Sequence, residues 1–250
     1  MNKFSAGIIA IIFLLCSCSA GRNTYSPSKK FDQQHLQEDY SLLRKILEQK
    51  HPSLYWYSSK DSMDYFFSYY YAAIKDSMTE QQFAWQILAP LVDKIKCGHT
   101  SVSMSKAYAN WVAGKTFPSF PLYMKVWNDT MLTMINLNKN DSIIKKGTII
   151  TAINGKPTHS IINEMFNYLP QDGNANTINY IRVSANFPYY HRNIYGLSKN
   201  YAIDYIGPNN QVMHTSIPAF GLQKDSAQKT KTVAAPVKIK KQKKPSRQKR

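Results

Sequence analysis

The chain is 250 residues long and 43% hydrophobic, enough apolar material to pack one large domain or two small ones, which excludes a wholly disordered polypeptide. Its formal net charge of +17 is unevenly spread. From Lys224 to Arg250 eleven Lys or Arg stand against one acid, Asp225, a net of +10 that leaves about +7 for the rest, so a basic surface spread over the whole fold is excluded.

The chain opens as a targeting segment. Asn2 and Lys3 form a short polar, positive start, and an apolar run extends from Ala6 to Leu15. About ten apolar residues suit a signal-peptide core and are too few to span a membrane. The run ends in Leu15-Cys16-Ser17-Cys18, which resembles the cleavage box of bacterial lipoproteins. That resemblance implies a signal peptide over residues 1–17, removal of Cys16 with it, and lipidation of Cys18 as the new N-terminus. An ordinary secretory peptide is the alternative. In the lipidated form Cys97 is the remaining free thiol, and one thiol forms no internal disulfide. Residues 18–30 are polar and aperiodic, a flexible tether between membrane and fold.

Residues 31–105 read as a helical domain. Leu36, Tyr40, Leu43 and Leu47 recur at helical spacing, and His51-Pro52 ends that helix because the residue before a proline resists the helical region. A second helix starts near Ser62 and carries Met63, Phe66, Phe67 and Tyr70 inward. Thr79-Glu80-Gln81-Gln82 has the form of a capping box and starts a third helix, which Pro90 should kink. Gly98 fits the left-handed position past its end, and Thr100 to Met104 alternates in strand fashion. His35 and His51 read as surface or helix-end residues.

The order His51-Pro52-x-Leu54-Tyr55-x-Tyr57, then Met78-Thr79, then Cys97-Gly98-His99-Thr100 resembles the N-terminal domain of bacterial lipoprotein members of the tricorn-core and C-terminal processing serine peptidase family. The resemblance covers most of residues 31–105. It implies that His99 is the general base for a serine far downstream. Imidazole chemistry suits that role, since the ring exchanges a proton near neutral pH. A simple helix-end cap is the alternative for His99. Cys97 reads as a small buried hydrophobe.

Residues 117–206 form a second unit. Leu122 to Trp127 reads as a strand, Asn128-Asp129 as a turn and Met131 to Leu137 as the hairpin partner. The run Gly147-x-x-Ile150-x-x-Ile153-Asn154-Gly155-x-Pro157 ends in a dipeptide that favours a tight primed turn. It resembles the signature of PDZ-like domains, which bind extended peptide ends by strand addition. Ser119-Phe120-Pro121-Leu122 is the positional candidate for the peptide-binding loop. Ser160 can cap a short helix, Asn176 to Ala185 reads as a further helix, and Phe187-Pro188-Tyr189-Tyr190 as an aromatic loop. Residues 207–221 supply a hairpin strand and linker. His159, His191 and His214 have no metal-ligand spacing, so neither metal nor cofactor is expected.

The expected fold class is α+β: an N-terminal helical bundle, a PDZ-like β domain, and a disordered basic tail over residues 222–250. The tail reads as solvated, as attracted to anionic lipid, or as a linker into a further domain. Nucleic acid is not an expected partner of an exported lipoprotein. No serine here sits in a Gly-x-Ser-x-Gly elbow, so the chain alone is expected to be inactive. Two functions stand. One is the N-terminal portion of an exported, membrane-anchored serine peptidase, a hydrolase of peptides or proteins in the cell envelope. The other is a non-catalytic, membrane-anchored peptide-binding lipoprotein.

Overall fold

The structure is a computed structural model and describes residues 25–222. Cys18 and the basic tail beyond Leu222 lie outside the described residues. Among the described residues, six helices, a six-stranded antiparallel sheet and a small two-stranded one give an α+β fold.

The first part is helical. A two-residue strand β1 (Lys30–Phe31) leads into α1 (Gln33–Lys50), whose N-cap Asp32 accepts from the His35 amide. Helix α2 (Lys60–Ala72) is capped in the same way by Ser59. Strand β2 (Met78–Thr79) pairs antiparallel with β1 and delivers the capping box, in which Thr79 and Gln82 each bond the other's backbone amide. Helix α3 follows as Glu80–Phe83, a π-helical turn Ala84–Leu88, and Ala89–Ile95. The expected kink at Pro90 takes the form of this π turn. Proline has no amide to give and its ring crowds the carbonyl four residues back, and widening the preceding turn accommodates both effects. Leu36, Tyr40, Met63, Phe67, Ile87 and Leu91 form the centre of this unit's core.

Helix α4 (Lys106–Val112), capped by Ser105, was not anticipated. The second unit is a sheet of strands β3 (Leu122–Trp127), β4 (Thr130–Asn136), β5 (Ile149–Ile153), β7 (Asn200–Ile206) and β8 (Val212–Pro218), in that spatial order, with short β6 (Lys156–Pro157) also pairing β5. All pairings are antiparallel. In β3, Leu122, Met124 and Val126 point inward while Lys125 and Trp127 face solvent, the period-two pattern of a half-buried strand. Asn154 and Gly155 both have positive φ, so the Asn-Gly pair makes the primed turn its sequence predicts. Gly147, at φ 90°, donates to the Thr133 carbonyl at 2.7 Å in a conformation few side chains tolerate.

Helix α5 (Thr158–Phe166) begins before Ser160, which is internal to it and not its cap; Pro157 is the N-cap and offers no side-chain bond. Helix α6 (Thr177–Tyr195) corrects the aromatic-loop expectation for Phe187–Tyr190. The helix breaks at Asn186 (φ −141°, ψ 37°) and resumes with Pro188 in its first new turn, where a missing amide costs no hydrogen bond. Phe187 is thereby fully buried in the second core, beside Phe120, Val183 and Tyr201.

Candidate functional site

The segment Lys96–Thr100 is shaped by contacts that span the chain. Asp93, only 1% exposed, accepts from the ammonium groups of Lys94 and Lys96 at 2.9 Å each and anchors the end of α3. The left-handed residue at that end is Lys96 (φ 55°, ψ 39°), not Gly98. Gly98 is needed for a different reason. Its amide donates to Asp172 Oδ1 at 2.6 Å, and a Cβ built on it would stand 2.7–2.8 Å from the Asp172 carboxylate. One residue on, the Gly173 amide donates to the Lys96 carbonyl at 2.9 Å. These two bonds clasp the end of the helical unit to the segment between α5 and α6. Gly173 (φ 59°) leaves no room for a side chain against the Tyr57 ring.

His51 closes the other side. The Ser53 amide donates to His51 Nδ1 at 3.3 Å, which puts the ring proton on Nε2, and Nε2 lies 2.7 Å from Thr100 Oγ1. The ring therefore donates to the threonine hydroxyl. Burial lowers the His51 pKa and favours this neutral form. Thr100 in turn bonds Cys97. Burial opposes ionisation of the Cys97 thiol, but hydrogen bonds from the Thr100 hydroxyl, the His99 amide, Ser53 and the Thr100 amide outweigh it and hold the pKa below the ordinary thiol value. The His-Pro-x-Leu-Tyr-x-Tyr stretch and the Cys-Gly-His-Thr stretch are thus two halves of one local structure.

His99 itself is exposed. Cys97, His99 and Asp172 bring their side-chain donor atoms within 4.8 Å of one another. A cleft of about 650 Å³ between the two units is lined by Gly98 and Ser101, which flank His99 and Thr100 in sequence, but not by His99 itself. Trp85, Tyr108, Tyr189, Tyr190 and Arg182 are among the cleft's other lining residues. The expected strand at Thr100–Met104 is not formed. Val102 and Met104 are half-buried and Ser101, Ser103 and Ser105 exposed, so the alternation is real, but the segment has no partner strand among the described residues.

The candidate loop Ser119–Leu122 is a strand start. Ser119 exchanges backbone bonds with Phe220 at 3.0 Å each way, the Pro121 carbonyl accepts from Leu137 at 2.9 Å, and Phe120 and Leu122 are fully buried. His51 and Asp172 were not singled out from the sequence as site residues. The Asp172-Gly173 pair reads there only as a chain break, and nothing in its spacing points back to His99.

The fold is distantly similar to that of C-terminal processing proteases. Solved structures of CPAF, a chlamydial serine protease, are among those it resembles. A serine-to-alanine mutant of CPAF superposes with a TM-score of 0.54 at 11% identity, over 75% of this chain and 34% of that one. Mature CPAF complexed with lactacystin gives 0.51 at 12% identity, over 75% and 35%. The chain spans about a third of the length of these structures, and at such identities the likeness shows the fold alone. No protein-family model and no curated protein sequence matches the chain.

Proposed function

We propose that this chain is the N-terminal portion of an exported, lipid-anchored serine peptidase acting on peptides or proteins, with His99 as its general base. The observation that carries the reading is the clasp. It fixes the backbone on either side of an exposed histidine, in a segment whose Gly98 and Ser101 line an aromatic-walled cleft. The nucleophile is a serine outside residues 25–222. As its Oγ attacks the scissile carbonyl, His99 takes the hydroxyl proton and then returns it to the leaving amine. His51 and Thr100 hold the segment that carries His99. The sheet with α5 and α6 is read as PDZ-like, guiding an extended substrate toward the cleft. Cys18 supplies the membrane anchor.

A fluorophosphonate probe tests the placement of the nucleophile. The 250-residue chain should remain unlabelled, and strong labelling of it would refute an external serine. In a form continued past Arg250 to include that serine, His99→Ala should lower kcat for peptide hydrolysis by about 10²–10⁴-fold with little change in KM. Unchanged kcat would remove His99 from the mechanism, and absence of any hydrolysis in that longer form would leave the peptide-binding lipoprotein as the function.

A further inference from the structure

We propose that Cys97, His99 and Asp172 form a binding site for a borderline-soft divalent cation, zinc above all. The three residues offer a thiolate sulfur, an imidazole nitrogen and a carboxylate oxygen, all within 4.8 Å of one another. A tetrahedral zinc with bonds of about 2.0–2.3 Å sets its donors about 3.5 Å apart. Closing the gap takes about 1 Å of side-chain movement, made chiefly by the exposed His99 ring, since the bond to Gly98 holds Asp172 in place. The thiolate selects zinc over the hard cations magnesium and calcium.

The surrounding bonds arrange this donor set. The Thr100 amide donates to the Cys97 carbonyl at 3.1 Å and forms a turn that carries Cys97 and His99 together. Gly98 takes Asp172 Oδ1, which leaves Oδ2 for a metal and orients it. The missing Cβ of Gly98 is what admits the carboxylate at this distance. With Cys97 half-buried against the helical core and His99 and Asp172 exposed, three protein ligands leave a fourth position open to water, the arrangement of reactive rather than structural zinc sites. A bound cation occupies the lone pair that a general base needs. On the reading of His99 proposed above, zinc therefore silences the peptidase, and its removal restores it. This regulatory consequence rests on that reading; the cation site does not.

Cobalt(II) titration tests the site directly. Cys16 and Cys18 are first replaced by serine, so that Cys97 is the sole thiol. One equivalent of cobalt should give the intense visible bands of a tetrahedral ion with a thiolate charge-transfer band, and zinc should displace both. Cys97→Ser should abolish the charge-transfer band. Asp172→Asn and His99→Gln should each weaken zinc about tenfold or more, while His214→Gln, on the far strand β8, should leave affinity unchanged. Circular dichroism checks that every variant is folded. No tetrahedral spectrum at saturating cobalt, or full affinity in Cys97→Ser, overturns the site. Because binding is read without activity, zinc affinity in a chain whose His99 proves catalytically irrelevant would sink the base and keep the site. A catalytic His99 in a protein that ignores zinc would do the reverse.

Discussion

Gly98 lacks a side chain because Asp172 occupies the space where one would stand. Gly98→Ala therefore pushes the carboxylate away and breaks its bond to the amide, at an expected cost of about 1–3 kcal/mol in urea unfolding. With Asp172→Ala in the background the added methyl has room, so the double mutant should recover about 1 kcal/mol relative to additivity. Strictly additive costs would show that the two residues do not meet. His191 supports a second prediction at this scale. It is 3% exposed among the rings of Phe120, Phe187, Tyr195 and Tyr201, and its Nδ1 has no hydrogen-bond partner among the described residues. Burial pushes its pKa down to about 4, against about 6.5 for a free histidine. Above pH 6.5 the ring is neutral in both folded and unfolded chains. As pH falls the unfolded chain takes the proton first, so stability drains away between pH 6.5 and 4, by about 3 kcal/mol in all. His191→Phe should flatten that part of the urea-midpoint profile, and an unchanged slope would rule the residue out.

Among the elements, α6 is the one that most departs from its sequence pattern, and it does structural work at a strand edge. Val126 in β3 turns its amide away from β4, and Ser184 Oγ accepts it at 2.8 Å. Ser184→Ala leaves that buried amide without a partner. The expected cost is about 1–3 kcal/mol, with faster hydrogen exchange at Val126; unaltered exchange would mean that water satisfies the group equally well. Elements whose cause is local were legible in the sequence. The Thr79/Gln82 capping box, the spacing of Leu36, Tyr40 and Leu47 and the turns at Asn128-Asp129 and Asn154-Gly155 each depend on a few neighbouring residues. Elements decided at a distance were not. Pro188 suggests a loop until the second core claims Phe187, and the π turn at Ala84–Leu88 answers a proline that sequence alone reads as a kink. The candidate site divides in the same way: His99 stands in a recognisable string, whereas Asp172 reaches it only through the fold.

At the scale of the whole molecule, two hydrophobic cores meet through a small set of contacts. Trp85 on the π turn packs against Tyr168, Tyr189 and Tyr190 with ring centroids 5.7–6.4 Å apart. Gln81 donates to Asn193 nearby at 2.5 Å. Trp85→Ala removes the aromatic contacts with Tyr168, Tyr189 and Tyr190. It should lower stability by about 2 kcal/mol and, more tellingly, split one calorimetric transition into two, as each core loses the support of the other. A single transition that merely shifts to lower temperature would show that the clasp alone keeps the units coupled.

The clasp also sets an order of events. The bond from Gly98 to Asp172 joins points 74 residues apart in the chain, and closing so long a loop brings no return until the sheet has condensed around it. The helical core, built from contacts local in sequence, is free to form earlier. In the first unit alone the segment that carries His99 has the His51–Thr100 bond, and the bonds from Asp172 and Gly173 are added only when the second unit folds against it. The Lys96–Thr100 segment therefore reaches its final shape only when residues far apart in the chain have both been folded into place.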